Sequence, residues 1–323
     1  MSSLRVCVPL LALSLLTATA HGQSTEQPGE GHSPPEEHRT EALELAWPDG
    51  ARRVHPAEAV AAPLVVGLAF TLYLAPPSPP TDGRSITRFD RRLQERIQLD
   101  PGTGRDVVAL IGDVGFLGSF VYRAFDDIVM AGAVRGSWDV SWQLAVIDAI
   151  AFGMVGSVTW AAQALYGRQR PEYTFCEEEN GATDPRCEGG DRTNRSLISG
   201  HLATAVAGAS LTCLHHGRMR IYGNQRRGRS ACVSHTLVAV TVGVSRLMAG
   251  SHWPTDIFSG TALGLLAGWV VPRLVHYGWD EFGFGQGQWD EDDRGSRASP
   301  PLRIAVAPQV SSRGAGLAAI GMW

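Results

Sequence analysis

The strongest chemical pattern in the chain sets an arginine, a histidine and a carboxylate between two apolar runs. Arg246, His252 and Asp256 follow the spacing S-R-x5-H-x3-D. A guanidinium can clamp two oxygens of a tetrahedral oxyanion, and an imidazole can attack or protonate it. An acid placed after the histidine can accept its second N–H and fix the tautomer. The pattern predicts chemistry on a phosphate-like group, with His252 as the nucleophile and Asp256 as its hydrogen-bond partner.

Two earlier stretches supply the other groups that such chemistry requires. The first, residues 167–171 with the sequence GRQRP, offers Arg170 as a second clamp beside Arg246. The second offers a hydroxyl, a backbone amide and an imidazole at a predicted helix N-terminus, where the helix dipole attracts anions. These groups belong to Ser199, Gly200 and His201. We expect His201 to protonate the leaving group as a general acid.

Six apolar runs predict the helices that must position these motifs. They cover residues 59–75, 107–122, 144–166, 199–214, 231–250 and 257–275. The first motif closes the third run, the second motif opens the fourth, and the third motif joins the fifth to the sixth. An antiparallel helical bundle with about six core helices would bring all three motifs to one end. The predicted fold class is therefore all-α, with the helical domain over residues 57–276.

Together the three motifs resemble the signature of the type 2 phosphatidic acid phosphatase and vanadium-dependent haloperoxidase superfamily, which is K-x6-R-P, P-S-G-H and S-R-x5-H-x3-D. The third motif matches in full, and the others match at Arg170-Pro171 and Ser199-Gly200-His201. The resemblance implies a covalent phosphohistidine at His252, leaving-group protonation by His201, and phosphate contacts from the other matched residues. It covers residues 163–256 and implies a phosphatase that acts on a phosphomonoester or a lipid (pyro)phosphate.

The chain departs from this signature at two positions. Gln163 stands where the family has lysine, and Ile198 stands where it usually has proline. Loss of the lysine removes a cation from the expected phosphate pocket. Gln163 and Arg168 are therefore added to the predicted phosphate contacts, with Arg168 as a partial substitute, although a glutamine near a helix end also serves as a simple capping residue. A vanadate-dependent haloperoxidase and a non-catalytic anion- or lipid-binding relative remain alternatives.

The composition of the chain limits which partners and cofactors are expected. The 323 residues carry a net charge of -4, and every basic residue apart from histidine is arginine, so nothing indicates nucleic-acid binding. We find no histidine and cysteine spacing typical of zinc, and the reaction as written needs no metal. No cofactor is expected, except vanadate under the haloperoxidase alternative. A phosphate ester or phospholipid is the expected substrate, and the sequence does not indicate an oligomeric state.

The N-terminal region indicates export. Residues 1–20 have one cation, a short apolar core and an A-x-A site, which is typical of a cleaved signal peptide, with an uncleaved anchor as the alternative. Residues 21–56 read as a flexible lead-in. Residues 215–230 hold arginines without an acid, and the loop before the second motif is acidic, so the positive-inside rule orients the motifs toward the periplasm.

Membrane association is expected, but the number of membrane-spanning runs must be consistent with the predicted signal peptide and with motifs that face the periplasm. If the signal peptide is cleaved and the first three runs all cross, the first motif lies in the cytoplasm. We therefore predict that the run containing Asp113 does not cross, and that Asp113 is a hydrogen-bonded structural residue. The alternative is a soluble periplasmic protein in which no helix crosses.

Cysteines and the remaining segments give further predictions. Cys176 and Cys187 lie in the acidic loop and are expected to form a disulfide that pins it over the site. A second pair, Cys213 and Cys232, lies at the arginine-loop end, where a spanning protein keeps thiols reduced and a periplasmic one oxidises them. Residues 84–98 indicate a surface-lying amphipathic helix. The tail over residues 277–323 is compatible with a β-hairpin.

Overall fold

A computed structural model describes residues 45–79, 86–181, 183–187, 189–278, 303–311 and 314–322. The predicted signal peptide and most of the lead-in lie outside these ranges. The described part of the chain is mainly helical, in agreement with the all-α class. Its helices are α1 (Pro56–Tyr73), α2 (Arg88–Ile97), α3 (Thr103–Ala124), α4 (Trp138–Leu165), α5 (Pro171–Asn180), α6 (Gly200–Arg218), α7 (Gln225–Met248) and α8 (Pro254–Leu265).

Two of the long helices continue in π geometry, and two strands follow in the tail. α3 continues as a π-helix over Phe125–Val134, and α8 continues through π turns at Leu266–Val270 and Arg273–Tyr277. Short 3-10 turns cover Pro185–Cys187 and Gly190–Arg192. Strands β1 (Arg303–Ser311) and β2 (Gly314–Met322) pair antiparallel, with Arg303 opposite Met322.

Local sequence explains where the helices begin. Pro56 and Pro254 occupy the first turns of α1 and α8, where a missing N–H costs nothing. Thr87 begins α2 by a capping box, because its hydroxyl accepts from the Asp90 amide while the Asp90 carboxylate accepts from the Thr87 amide. The six predicted apolar runs correspond to the long helices α1, α3, α4, α6, α7 and α8.

α6 lies at the centre of the packing. It contacts α3, α4, α7 and α8, and most of its side chains are buried. α1 packs on α4 instead, and its outer surface remains exposed. Because α6 carries the second motif at its first turn, the most enclosed helix of the chain holds one of the three chemical segments.

Glycines let α8 approach the backbone of α6 closely. Gly260, Gly264 and Gly268 recur every fourth residue and face carbonyls of α6. A Cβ at Gly264 would lie 2.5 Å from the Ala203 carbonyl oxygen, and one at Gly260 would lie 2.7 Å from that of Ser199. These glycines therefore set the distance between the second and third motifs.

Within the described ranges, five helical segments are long and apolar enough to span a membrane. They are Pro56–Tyr73, Thr103–Val134, Trp138–Leu165, Gln225–Met248 and Pro254–Tyr277. The segment with Asp113 is among them, against the expectation that it is too polar to cross. Five glycines and four acids interrupt its sequence, but the helical segment runs through them over 32 residues.

The helix ends define two ends of the helical assembly. α4 ends, α6 begins, α7 ends and α8 begins beside the motifs, at what we call the motif end. The opposite end holds the arginine loop, residues 215–230, and the start of α1 lies there too. The Arg52 amide donates to the His276 carbonyl at 2.8 Å, and His276 closes the last π turn after α8.

A buried charge cluster lies toward the arginine-loop end. Arg123 donates to Asp126 at 2.8 Å and to Asp127 and Asp148 at 2.6 Å. His215 contacts the second oxygen of Asp148 at 3.0 Å. The ionisable residues of this cluster are thus paired with each other, as buried charges in apolar surroundings require.

Disulfides occur at both ends of the assembly. Cys176 is joined to Cys187 with a Cα–Cα distance of 5.5 Å, which pins the acidic loop beside the motifs. Cys213 is joined to Cys232 with a Cα–Cα distance of 4.5 Å, which links α6 to α7. The second bond is in the oxidised state that the sequence associates with a periplasmic chain rather than with a spanning one.

Gly264→Ala tests the close packing of α8 on α6. We expect a loss of about 1–3 kcal/mol in the free energy of unfolding, because the added methyl overlaps a backbone carbonyl that cannot move aside. Gly67→Ala in α1 is the matched control, since no atom lies within 4 Å of its Cβ position. It should stabilise the helix by roughly 0.5–1 kcal/mol. Thermal unfolding in detergent measures both, and equal Tm values would contradict the packing argument.

Candidate active site

Backbone hydrogen bonds tie the three motif segments together. They join the Ser196 amide to the Arg168 carbonyl at 3.1 Å, the Ser199 amide to the Asp256 carbonyl at 3.2 Å, and the Glu172 amide to the Gly250 carbonyl at 3.0 Å. Each bond connects segments far apart in the sequence. The motifs therefore meet at one end of the helices, as their order along the chain predicts.

His252 is held with a defined tautomer. Its Nδ1 lies 2.7 Å from the Ser196 carbonyl oxygen, which can only accept, so the proton is on Nδ1 and Nε2 carries the lone pair. The predicted partner, Asp256, does not contact the ring directly. One Asp256 oxygen accepts from the Ser196 hydroxyl at 2.6 Å and from the Trp253 amide at 3.0 Å. Ser196 thus connects the carboxylate to the histidine.

The surroundings keep the His252 imidazole neutral. Its side chain is buried, and burial together with the positive charges of Arg170, His201 and Arg246 holds its pKa well below the usual range. A histidine attacks as a nucleophile only in its neutral form. The same cations that would bind a phosphate therefore also preserve the reactive state of His252.

His201 is oriented by a residue that the sequence motifs do not include. Its Nε2 lies 3.0 Å from an Asp113 carboxylate oxygen, and the same oxygen accepts from Arg246 at 2.8 Å. The Phe116 ring packs against the imidazole, with ring centroids 4.5 Å apart. The prediction of a purely structural Asp113 is therefore incomplete. A lone acid within an apolar run was the signal that could have identified it.

Arg246 is fixed in place but retains unused donor capacity. Its Nη2 also donates to the Ala109 carbonyl, which anchors the guanidinium to α3, whereas its buried Nε has no partner in the described part of the chain. Arg170 is held more loosely. Its Nε lies 3.5 Å from the Arg195 carbonyl, and its Nη1 lies 3.8 Å from Glu172. Both guanidinium groups can take further acceptors.

The start of α6 supplies uncharged donors. Ser199 is fully buried, yet its hydroxyl has no hydrogen-bond partner among the described residues. Such orphaned donors are rare in proteins and often mark a site that a ligand completes. Gly200 lies against Thr159, where a Cβ would come within 2.9 Å of the threonine methyl group. The first turn of α6 therefore packs closely on α4 while its N-terminus remains free.

Gln163 supports the second motif from α4. Its buried side-chain amide donates to the Ile198 carbonyl at 3.1 Å, one residue before Ser199. One of the two amide N–H donors is thus engaged, and the side-chain oxygen would repel an anion. Contacts among the described residues give Gln163 a role in positioning the loop.

Arg168 is engaged in a buried ion network rather than in the phosphate pocket. Its Nη1 donates to Asp256 and to the Thr255 hydroxyl, and its Nη2 donates to Asp90 at 2.8 Å. The Arg168 and Asp256 side chains are 3% and 0% exposed, and that of Asp90 is 0% exposed. Arg168 therefore positions the third motif, and substitution for the family lysine would require it to leave these partners.

The acidic loop is attached to α2 as well as by its disulfide. Arg91 makes two hydrogen bonds of 2.8 Å to the Glu178 carboxylate. A cavity of about 480 Å³ opens between α2 and α5 and reaches Arg105, which bonds to Glu172 and to the Ala249 carbonyl. Within the described ranges, no group of three histidine, cysteine or acidic side chains is arranged to hold a metal ion.

Comparison with known proteins identifies the family of this segment. Residues 143–280 match the PAP2 superfamily, and all three motifs lie in that range. A 129-residue stretch is 30% identical to the lipid A 1-phosphatase of Porphyromonas gingivalis, which is 40% of this chain and 23% of that protein. The chain thus aligns with about a quarter of that relative. No solved structure matches. Residues 143–280, which hold the three motifs, are thus a match to the PAP2 superfamily.

Asp113→Asn tests the orientation of His201. We expect kcat to fall about 10²-fold, the lower range for loss of general acid catalysis, because the amide is uncharged and no longer holds both His201 and Arg246. Asp106→Asn is the control, since Asp106 is an exposed acid in the same helix. Steady-state kinetics on a soluble phosphate ester measure both, and an unchanged kcat for Asp113→Asn would remove Asp113 from the site.

Arg170→Gln tests the electrostatic control of His252. The neutral imidazole is the reactive form, and a lowered pKa keeps it neutral as pH falls. Removal of the guanidinium raises the His252 pKa, so the acid limb of the pH profile of kcat/KM should move to higher pH. At the optimum, kcat/KM should fall about 10- to 100-fold, because a charge-assisted phosphate contact is lost. An acid limb at the wild-type position would contradict the coupling.

Proposed function

We propose that this protein is a membrane-embedded phosphatase that hydrolyses a phosphomonoester or a lipid (pyro)phosphate through a phosphohistidine at His252. One observation carries the proposal: His252 Nδ1 donates to the Ser196 carbonyl at 2.7 Å, so Nε2 carries the lone pair, and the nearby charges of Arg170, Arg246 and His201 lower the pKa of the ring. Cations around an unprotonated nucleophile are what phosphoryl transfer requires. The Porphyromonas gingivalis relative, named as a lipid A phosphatase, supports a lipid phosphate as the substrate class.

The reaction would proceed in two balanced steps. In the first, His252 Nε2 forms a bond to phosphorus, the ester P–O bond breaks, and the leaving alkoxide takes a proton from His201. In the second, water attacks the phosphohistidine while His201 accepts its proton, and inorganic phosphate is released. Arg170, Arg246 and the Ser199 hydroxyl would hold the equatorial oxygens in both steps.

Substrate hydrolysis and vanadate chemistry separate this function from its alternatives. The purified protein in detergent should release phosphate from phosphatidic acid, a lipid pyrophosphate or p-nitrophenyl phosphate, and vanadate should inhibit the release because it mimics the transition state. The control is His252→Gln, which should release none. Vanadate-dependent bromination with peroxide would support the haloperoxidase alternative. Phosphate binding without turnover would support the non-catalytic one.

We also propose that the motif end faces the periplasm. The arginine loop lies at the opposite end and would be cytoplasmic by the positive-inside rule. Residues 45–55 share that end, because Arg52 bonds to His276. In a spanning chain, a cleaved signal peptide would instead leave residues 45–55 outside. In a spanning chain, a cleaved signal peptide and an outward-facing site therefore exclude each other. A soluble periplasmic protein is the second candidate, and the Cys213–Cys232 disulfide favours it.

Cysteine labelling in intact cells tests this orientation. Glu179→Cys places a thiol at the motif end, and Arg226→Cys places one in the arginine loop, both at exposed positions. A maleimide that does not cross membranes should label Glu179→Cys in intact cells and Arg226→Cys only after lysis. Labelling of both in intact cells would support the soluble periplasmic form, and the reverse pattern would invert the topology. The parent protein controls for its own cysteines.

A further inference from the structure

One face of α2 presents a row of arginines. Arg88, Arg92 and Arg96 recur every fourth residue, so they share one side of the helix. All three are exposed, and none makes an ion pair with a carboxylate in the described part of the chain. Glu95 is the exposed acid beside them. With three arginines and one acid, the row therefore presents a net positive charge toward the outside.

The opposite face of α2 fixes the direction of this row. Asp90 is buried and accepts from the Thr255 amide at 2.9 Å, and Gln94 donates to the Leu247 carbonyl at 2.8 Å. These contacts join α2 to the start of α8 and to the end of α7. Because they hold the inner face by hydrogen bonds to backbone, the helix cannot rotate to bury the arginines.

The position of α2 relates the row to a membrane surface. Leu247 and Thr255 lie at the ends of two segments long and apolar enough to span, so α2 lies at the level where those segments end. Phe89 continues the exposed face and stacks on Phe258, with ring centroids 6.2 Å apart. Both rings are exposed, by 50% and 62%. Exposed aromatic side chains at span ends are typical of membrane interfaces.

From this arrangement we infer that α2 binds the head groups of anionic phospholipids at the motif end, beside the catalytic pocket. The guanidinium group of arginine can donate two hydrogen bonds to the oxygens of one phosphate. A basic helix face next to interfacial aromatic side chains fits a lipid surface better than a protein groove. The proposal goes beyond the phosphatase function and rests only on membrane embedding. It gives α2 the role of concentrating anionic lipid at the motif end.

Lipid binding by the full chain in neutral detergent tests this inference. Native mass spectrometry with added phosphatidylglycerol or phosphatidylcholine measures the Kd of the first bound lipid. Wild type should prefer phosphatidylglycerol, and Arg88→Gln with Arg92→Gln should weaken its binding by roughly tenfold, because each basic residue near an anionic surface adds a few-fold. Binding of phosphatidylcholine should not change.

A matched double variant controls for the loss of two charges. Arg53→Gln with Arg186→Gln removes two exposed arginines that already pair with acids, Asp139 and Asp184. It should bind phosphatidylglycerol as wild type does. Equal weakening in both double variants, or no weakening in the α2 variant, would overturn the inference. Since binding is measured without turnover, a protein without phosphatase activity would still test it, and hydrolysis of p-nitrophenyl phosphate separately tests the proposed function.

Discussion

The buried ion pair between Arg168 and Asp256 is the interaction on which the site depends. It joins the first motif to the third in a place where neither side chain reaches solvent. An unpaired charge there would be strongly destabilising, so the two motifs are held together. Asp90 of α2 accepts a further hydrogen bond from Arg168. Ser196 donates its hydroxyl to Asp256 and accepts from His252 at its carbonyl, so it links the ion pair to the histidine. The orientation of the nucleophile therefore follows from a contact that does not touch phosphate.

This arrangement divides the arginines of the site between two tasks. Both terminal nitrogens of Arg168 are engaged by carboxylates and a hydroxyl, whereas Arg170 and Arg246 keep donors for a ligand. Asp113 offsets part of the charge of Arg246 and at the same time orients His201. In a chain without lysine, the proposed phosphate pocket would thus be built from guanidinium groups, imidazoles and helix N-terminal donors, with a glutamine as support.

Motif spacing predicted the main features, because the order of motifs and apolar runs places His252, His201 and the arginines at one end. What it could not predict were contacts made by residues outside the motifs. Asp113 and Asp90 lie in other helices, and their partners become neighbours only after packing. The direct bond expected from Asp256 to His252 is replaced by one through Ser196, since Arg168 occupies the carboxylate. The Asp113 segment is long and apolar enough to span despite its acid, which is paired with His201 and Arg246.

Direct detection of the covalent intermediate tests the central claim. Rapid acid-free quenching of the protein with a ³²P-labelled phosphomonoester should place an acid-labile, base-stable label on the peptide that contains His252. With p-nitrophenyl phosphate, whose leaving group needs no proton from His201, His201→Gln should accumulate more of it, because the histidine that activates water in the second step is missing. His252→Gln should carry none and should not turn over. Turnover by His252→Gln, or a label on any other residue, would contradict the account.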